Sequence, residues 1–376
     1  MPWPPAAALL APLAPWFDRV RRDLPWRAKD LDQPHPDPYA VLVSELMLQQ
    51  TQVATVTPYF ARWLDQFPTP ATLAAASEDT VHKAWEGLGY YRRARFLQAA
   101  AAAVAAEGWP SDLAGLAGLP GLGPYTAAAV GAIAFQWPTP ALDGNAFRVL
   151  ARLLRIEGDP KLEAASLRDW LAPALAELGP SRLTQALMEL GATLCLPKPA
   201  CAGCPLAQAC RACQEGCTAS IPPPTRRPTV LKSDLWLVAL EAAGSLLLRE
   251  PAAKGLLAGL WRWPALPAAD LPATAPAPPG LVAWPGWTQV YTHRREAVSP
   301  LHLQLEHPFS APKGLRWVPR AELAALPLGK RDQRLRDLLD TPGQNPLRAP
   351  DPVAVVEALG DMGGQNSKGI LTAEES

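Results

Sequence analysis

"LPGLGPYTAAAV", Leu119 to Val130, is a turn punctuated by two glycines that leads straight into a helix. Gly121 and Gly123 permit positive φ and close backbone approach. A helix starting there offers N–H groups without intrahelical partners, and those groups favour an anion. The competing reading is an ordinary turn between two helices, but the Leu-Pro-Gly-x-Gly order is more specific than such a turn needs.

Outward from this turn, apolar residues recur at helical spacing around 40–56, 58–66, 79–88, 92–107, 124–135, 146–156, 163–178 and 181–195. Two helices joined by a glycine turn resemble a helix-hairpin-helix DNA-binding motif, with Leu119, Gly121, Gly123 and Thr126 beside the phosphate. The alanine-rich "ARFLQAAAAAVAAEG" is a helix former, short and closed by Gly108 and Pro110. "TASIPPPTRRPTVLKSD" is a proline-rich connector, placed over 219–233. Beyond it, "LWLVALEAAGSLLLRE" and "LHLQLEH" are strand-like, interrupted by a proline-rich loop at 264–280. The expected architecture is an all-α domain over 1–218, then a smaller α+β domain over 234–340. The tail 341–376, with "GGQNSKG", is expected to be disordered.

A chain of 376 residues, 49% apolar and 19% charged, is long enough for two or three domains. Lys plus Arg and Asp plus Glu both number 35, so any basic binding surface must be local. No apolar run reaches the roughly 20 residues that span a membrane, and "MPWPPAAALLAPLAPWF" lacks the basic start of a signal peptide, so a cytoplasmic location is expected. All six cysteines fall between Cys195 and Cys217, which in a reducing compartment points to a metal site.

Two carboxylates stand out. Glu45, in "VSELMLQQTQVATVTPYF", reads as lying at the margin of an amphipathic helix that Pro58 ends or restarts. A carboxyl held against apolar walls has a raised pKa and can act as a general acid; the bland alternative is a solvated glutamate. Asp143, in "ALDGNAFRVLARLL", precedes a helix and suits an N-cap, a role open equally to Asn145. Paired carboxylates with different environments are what cleavage of a glycosidic bond requires. Cys195, Cys201, Cys204 and Cys210 read C-x5-C-x2-C-x5-C, with Cys213 and Cys217 left over, and this spacing suits zinc or an iron–sulfur cluster equally. In "GLGYYRRARF", Tyr90 and Tyr91 stand beside Arg92, Arg93 and Arg95, rings that can wedge between bases beside arginines that neutralise phosphate; a core tyrosine pair with a solvated basic turn fits as well.

With "DLPWR", "WEGLGYYRRAR", "QALMELGATLC" and "CAGCPLAQAC", these stretches resemble, in order over residues 22–210, the MutY-type adenine DNA glycosylases of the endonuclease III superfamily; "GLLAGLWRWP" extends the resemblance into the second half. The resemblance implies a six-helix barrel at about 30–140 and an iron–sulfur lobe at about 1–29 plus 141–218, holding a [4Fe–4S] cluster on Cys195, Cys201, Cys204 and Cys210. It implies that Glu45 protonates adenine and positions water, that Asp143 stabilises the C1′ cation, and that Tyr125 and Asn145 support the two acids. Arg27 and Gln185 would line the adenine pocket, while Gln50 and Tyr90 would intrude into the duplex. Tyr125 stands where bifunctional relatives carry a Schiff-base lysine, so base removal without strand cleavage is implied. The partner would be double-stranded DNA with adenine opposite 8-oxoguanine or guanine, bound by a monomer. The alternatives are an endonuclease III-like glycosylase/lyase and a non-catalytic DNA-binding iron–sulfur protein. The second half resembles a MutT-like domain without the acid cluster of a Nudix hydrolase. Its lesion-reading residues would include Gly259 and Ser299, the latter in a loop Val298-Ser299-Pro300, or Tyr291, Thr292 and His293 in a shifted register. The spacer "LPKPA" is one residue shorter than the family pattern, which bears on the fourth cluster ligand.

Overall fold

The computed structural model describes residues 3–224, 229–253, 255, 257–271, 281–291, 293–343 and 349–361. It divides into two compact units, one of residues 1–76 and 95–226, the other of residues 77–94 and 227–376.

The first unit is helical among its described residues. Its elements are α1 (Ala6–Leu10), α2 (Leu13–Val20), α3 (Pro38–Leu48), α4 (Val53–Gln66), α5 (Pro70–Ala75), most of α7 (Arg92–Glu107), α8 (Leu113–Gly118), α9 (Pro124–Phe135), α10 (Gly144–Leu154), α11 (Ala164–Leu178), α12 (Pro180–Thr193) and the short α13 (Arg211–Gln214). α3 starts sharply because Pro38 follows an aspartate N-cap whose carboxylate accepts from the N–H groups of Tyr39 and Ala40. Every residue of α3 from Tyr39 to Met47 is buried, so the helix is interior rather than amphipathic, and Glu45 lies inside it rather than at a margin. α9 is likewise buried from Thr126 to Ala134 and packs against both α3 and α12. A second core gathers both ends of the unit. Leu10, Leu13, Trp16 and Phe17 of the N-terminal helices pack with Leu150, Leu153, Leu171, Leu187 and Leu190 of α10 to α12.

One helix was expected from 40 to 56, with Pro58 as its break. The structure breaks it earlier, between α3 and α4, at Gln50 with φ 55°, and keeps Pro58 inside α4. Proline in a first turn or two sacrifices one backbone hydrogen bond, and the packing of Val56, Phe60 and Trp63 tolerates that loss. α10 begins at Gly144 with Asp143 as its N-cap, so Asp143 takes the capping role rather than Asn145.

The second unit is built on a mixed seven-stranded sheet in the order β4-β6-β1-β2-β7. Its strands are β1 (Leu231–Ala242), β2 (Ser245–Arg249), β3 (Ala265–Pro267), β4 (Leu281–Ala283), β5 (Trp287–Val290), β6 (Arg294–Leu305) and β7 (Leu315–Pro319). β3 pairs with β1 and β5 with β6. β1 and β6 run parallel along twelve residues each, from Leu231 opposite Arg294 to Ala242 opposite Leu305. Both faces are covered. Leu237, Ala239, Leu246, Leu248, Trp261 and Trp263 pack with Leu335 of α14 (Lys330–Leu338), and Val238, Leu240, Leu247 and Leu301 pack with Val355 and Leu359 of α15 (Pro352–Asp361).

α15 corrects the expectation of a disordered tail over its residues, because Val355 and Leu359 recur at helical spacing and are buried. The glycine-rich stretch after it lies outside the described residues, as do 272–280 of the proline-rich loop. Residues 77–94, read from the sequence as part of the first half, pack with the sheet unit instead. Their helix is α6 (Glu78–Ala84). Lys83 Nζ donates to the carbonyl of Leu326, Tyr91 Oη donates to the carbonyl of Leu328, and Glu86 accepts from the Leu328 N–H.

Candidate functional site

Glu45 and Tyr125 meet where α3 and α9 pack. Tyr125 Oη donates to Glu45 Oε2 at 3.1 Å, and Glu45 is 7% exposed. Burial pushes the Glu45 carboxyl up to about 7; the Tyr125 hydrogen bond opposes this and the charge of Asp143 adds to it. Glu45 is therefore a poised acid near neutral pH. Burial, with the neighbouring charges of Glu45 and Asp143, raises the Tyr125 hydroxyl well above its ordinary value, so it stays a donor.

Asp143 is held at the start of α10. Its Oδ1 accepts from the Ala146 N–H at 2.7 Å and its Oδ2 from Asn145 Nδ2 at 3.1 Å. These contacts leave lone pairs on both oxygens for a positive centre. Asn145 is itself fixed, because Arg148 Nη2 donates to Asn145 Oδ1 and to the carbonyl of Gly191, both at 2.8 Å. Arg148 Nε donates to the carbonyl of Cys195 at 2.7 Å. A hydrogen-bonded chain thus runs from Asp143 to the backbone of the first cysteine. Gly191 makes it fit, since a Cβ there would lie 2.6 Å from Asn145 Cβ. Neither Arg148 nor Gly191 was singled out from the sequence. The spacing of Asn145 and Arg148, three apart on a helix, was the available signal.

The hairpin has the expected parts. Gly121 has φ 77°, and a Cβ there would fall 2.3 Å from Phe96 Cβ, so the turn needs glycine twice over. Leu119 caps α8, and Gly123 is the N-cap of α9 with no side chain bonded to its N–H groups, which leaves that end open to an anion. Thr126 departs from its expected place. It is buried and its hydroxyl accepts from Gln49 Nε2 at 3.0 Å, tying the end of α3 to the start of α9.

Gln50 and Tyr90, nominated as wedges, share a backbone property that no sequence pattern shows: φ is 55° at Gln50 and 49° at Tyr90, left-handed values unusual for non-glycine residues. Both are exposed, Tyr90 at 43%. Arg93 corrects the picture of a phosphate-binding triplet. It is buried, its guanidinium donates to the carbonyls of Leu88 and Gly89, and it stacks on the rings of Trp85 and Tyr90. Desolvation lowers its pKa to about 10. Arg93 holds the Tyr90 turn from beneath.

Arg27 and Gln185 have partners of their own. Arg27 Nη2 donates to Glu189 Oε2 at 2.6 Å, and Arg22 Nε donates to Glu189 Oε1 at 2.6 Å. Desolvation acts most strongly on buried Glu189 and would raise it, but the two arginines together hold it below the usual carboxylate range. Gln185 is buried and its Nε2 donates to Ser181 Oγ at 3.0 Å.

Cys195, Cys201, Cys204, Cys210 and Cys213 line one cavity with Arg152, Leu194, Pro199, Ala207 and Thr218. No cysteine is in a disulfide. Buried Arg152 donates from Nη1 to Cys195 Sγ at 3.4 Å and from the same guanidinium to the carbonyls of Leu196 and Pro197. Among the described residues no three side chains are drawn together as closely as metal ligands. The donor set nevertheless fits a thiolate-bound group, with several free thiols on one wall and a fixed cation beside them.

In the second unit, Val298, Ser299 and Pro300 form no loop. They lie inside β6, with Ser299 opposite Trp236 of β1, because the buried alternation of Glu296, Val298 and Pro300 commits the segment to the sheet. Tyr291 and His293 fall at the β5–β6 turn, where the Tyr291 N–H donates to the Arg294 carbonyl; Thr292 lies outside the described residues. Gly259 has φ 79°, and a Cβ there would lie 2.1 Å from His82 Cε1, so it serves packing on α6.

Residues 43–173 match the model of the HhH-GPD superfamily base excision DNA repair proteins. The adenine DNA glycosylase of Mycolicibacterium smegmatis is 42% identical over 207 residues, 53% of this chain and 67% of that protein. That of Arabidopsis thaliana is 39% identical over 296 residues, 68% of this chain and 46% of the relative, and that of Rattus norvegicus is 46% identical over 211 residues, 54% and 41%. The chain spans less than half the length of these last two relatives. With the Glu45–Tyr125 and Asp143–Asn145 pairs set on the matched helices, the chain belongs to the HhH-GPD superfamily, in its MutY-type adenine DNA glycosylase family.

Proposed function

We propose that this chain is a monofunctional DNA glycosylase that hydrolyses the N-glycosidic bond of adenine mispaired with 8-oxoguanine or guanine and leaves an abasic site. The observation that carries this reading is Glu45, buried beside Tyr125 with its carboxyl pushed up to about 7. Protonated Glu45 gives its proton to the leaving adenine as the bond electrons pass to the base. Asp143, fixed by Asn145 and the Ala146 N–H, faces the positive charge that develops at C1′. The emptied Glu45 carboxylate then takes a proton from the water that attacks C1′. Tyr125 carries no amine, so no Schiff base forms at that position.

The substrate is double-stranded DNA, with the uncapped start of α9 on a phosphate and Gln50 and Tyr90 wedging the duplex so that adenine can leave the stack, at a cost of a few kcal/mol. The cysteine cavity suits a [4Fe–4S] cluster on Cys195, Cys201, Cys204 and Cys210, which when bound would anchor the loop around it. The sheet unit is read as a MutT-like lesion reader and the protein as a cytoplasmic monomer.

The test is single-turnover base release from duplexes with adenine opposite 8-oxoguanine, guanine or thymine, run beside a thymine-glycol duplex with borohydride present. Release from the two mispairs without trapping supports the reading. Activity confined to thymine glycol with efficient trapping would place the chain among the bifunctional lyases.

A further inference from the structure

We propose that Cys213 is a second candidate for the coordination position of Cys201, so that two thiols compete for one site on the metal group of the cavity. This rests on the reading that the cavity holds an iron–sulfur cluster. Five thiols line the cavity, one more than a four-thiolate cluster uses, and the fifth is Cys213. Cys217, equally near in sequence, is not part of that wall; it packs against the buried patch of Ala151, Ala212 and Ile221.

Cys213 lies on the same wall of the cavity as Cys201. The local geometry explains why. Cys210 caps α13, and the Cys213 N–H donates to the Cys210 carbonyl at 3.0 Å, so a single turn carries both sulfurs to one side. Cys201 arrives differently, on the five-residue spacer Leu196–Ala200 that contains two prolines. That spacer is pinned at both ends, by Arg152 on the carbonyls of Leu196 and Pro197 and by the Ala200 N–H on the carbonyl of Leu194. A short segment with two prolines, pinned at both ends, gives Cys201 little freedom to adjust, whereas Cys213 sits on the short turn that Cys210 begins.

The exchange is a ligand substitution without a change of oxidation state. One iron–sulfur bond to a thiolate breaks as the other forms, and the proton of the incoming thiol passes to the outgoing thiolate.

The test uses the full chain with its cluster, in four variants: Cys201→Ser, Cys213→Ser, the double variant, and Cys217→Ser. Iron, sulfide and the electron paramagnetic resonance spectrum are read, not activity. Each single variant is expected to keep about four irons, and the double variant to lose most of them with its spectrum. In the unmodified protein, alkylation followed by peptide mass spectrometry should label Cys217 fully and both Cys201 and Cys213 in part. Cluster loss in Cys201→Ser as complete as in the double variant, or full labelling of Cys213 beside full protection of Cys201, overturns the proposal. The labelling arm decides the matter even where a variant misfolds. Unmodified protein that takes up no iron or sulfide would remove the cluster reading itself, and this inference with it.

Discussion

In the proposed reaction Glu45 moves both protons, and its raised pKa has a consequence for stability as well. The native protein retains a proton that the unfolded chain releases between about 4.5 and 7, so stability falls as pH rises through that window. Glu45→Gln should raise the melting temperature at pH 8 but not at pH 4, by the equivalent of roughly 3 kcal/mol at 1.36 kcal/mol per pKa unit. Equal effects at both values would mean the carboxyl is not held protonated. The neighbouring pair makes a geometric demand. Gly191→Ala drives a Cβ into Asn145, and the expected result is a loss of about 1–3 kcal/mol in stability with adenine release slowed more than tenfold. Arg148→Ala should slow release comparably while leaving duplex affinity unchanged, because Arg148 touches Asn145 and not the open end of α9.

Helices and turns were the most legible scale, though unevenly. The hairpin could be read because glycine at positive φ leaves a compositional mark, and Gly121→Ala is expected to cost about 1–3 kcal/mol through its contact with Phe96 and to weaken duplex binding. The break at Gln50 left no such mark: glutamine at φ 55° is set by the packing on either side, and nothing local announces it. α3 reads as amphipathic because Val41, Leu42, Leu46 and Met47 recur near helical spacing, yet it is buried from Tyr39 to Met47, Glu45 included. Arg93 read as a phosphate ligand by its neighbours' charge, when its real partners are backbone carbonyls that a sequence does not display. α15 was hidden by the composition of the residues after it. Leu359→Ala should lower stability by about 2–5 kcal/mol, measured by chemical denaturation of the sheet unit, since Leu359 is fully buried.

At the scale of the whole chain, the division into a helical half and a sheet half was visible from the change of hydrophobic period. The membership of residues 77–94 was not. Those residues look like one more helix of the first half, but their polar groups are satisfied by Leu326 and Leu328, some 240 positions away, and sequence periodicity carries no information about such contacts. A chain truncated at residue 226 should therefore expose Val81, Trp85 and Tyr91, and limited proteolysis should cut it first within 77–94. The Ser299 expectation failed for a related reason, since a short motif match cannot tell a loop from a strand that finds its partner in β1.

The account stands on Glu45 as a buried acid, and the most direct measurement is the pH profile of single-turnover adenine release from an adenine·8-oxoguanine duplex, for the native chain and for Glu45→Gln. Native release should fall as pH rises through about 7, and the glutamine variant should bind the duplex yet release no measurable adenine at any pH. A glutamine variant that releases adenine at the native rate, or a native profile flat across neutrality, would contradict the account.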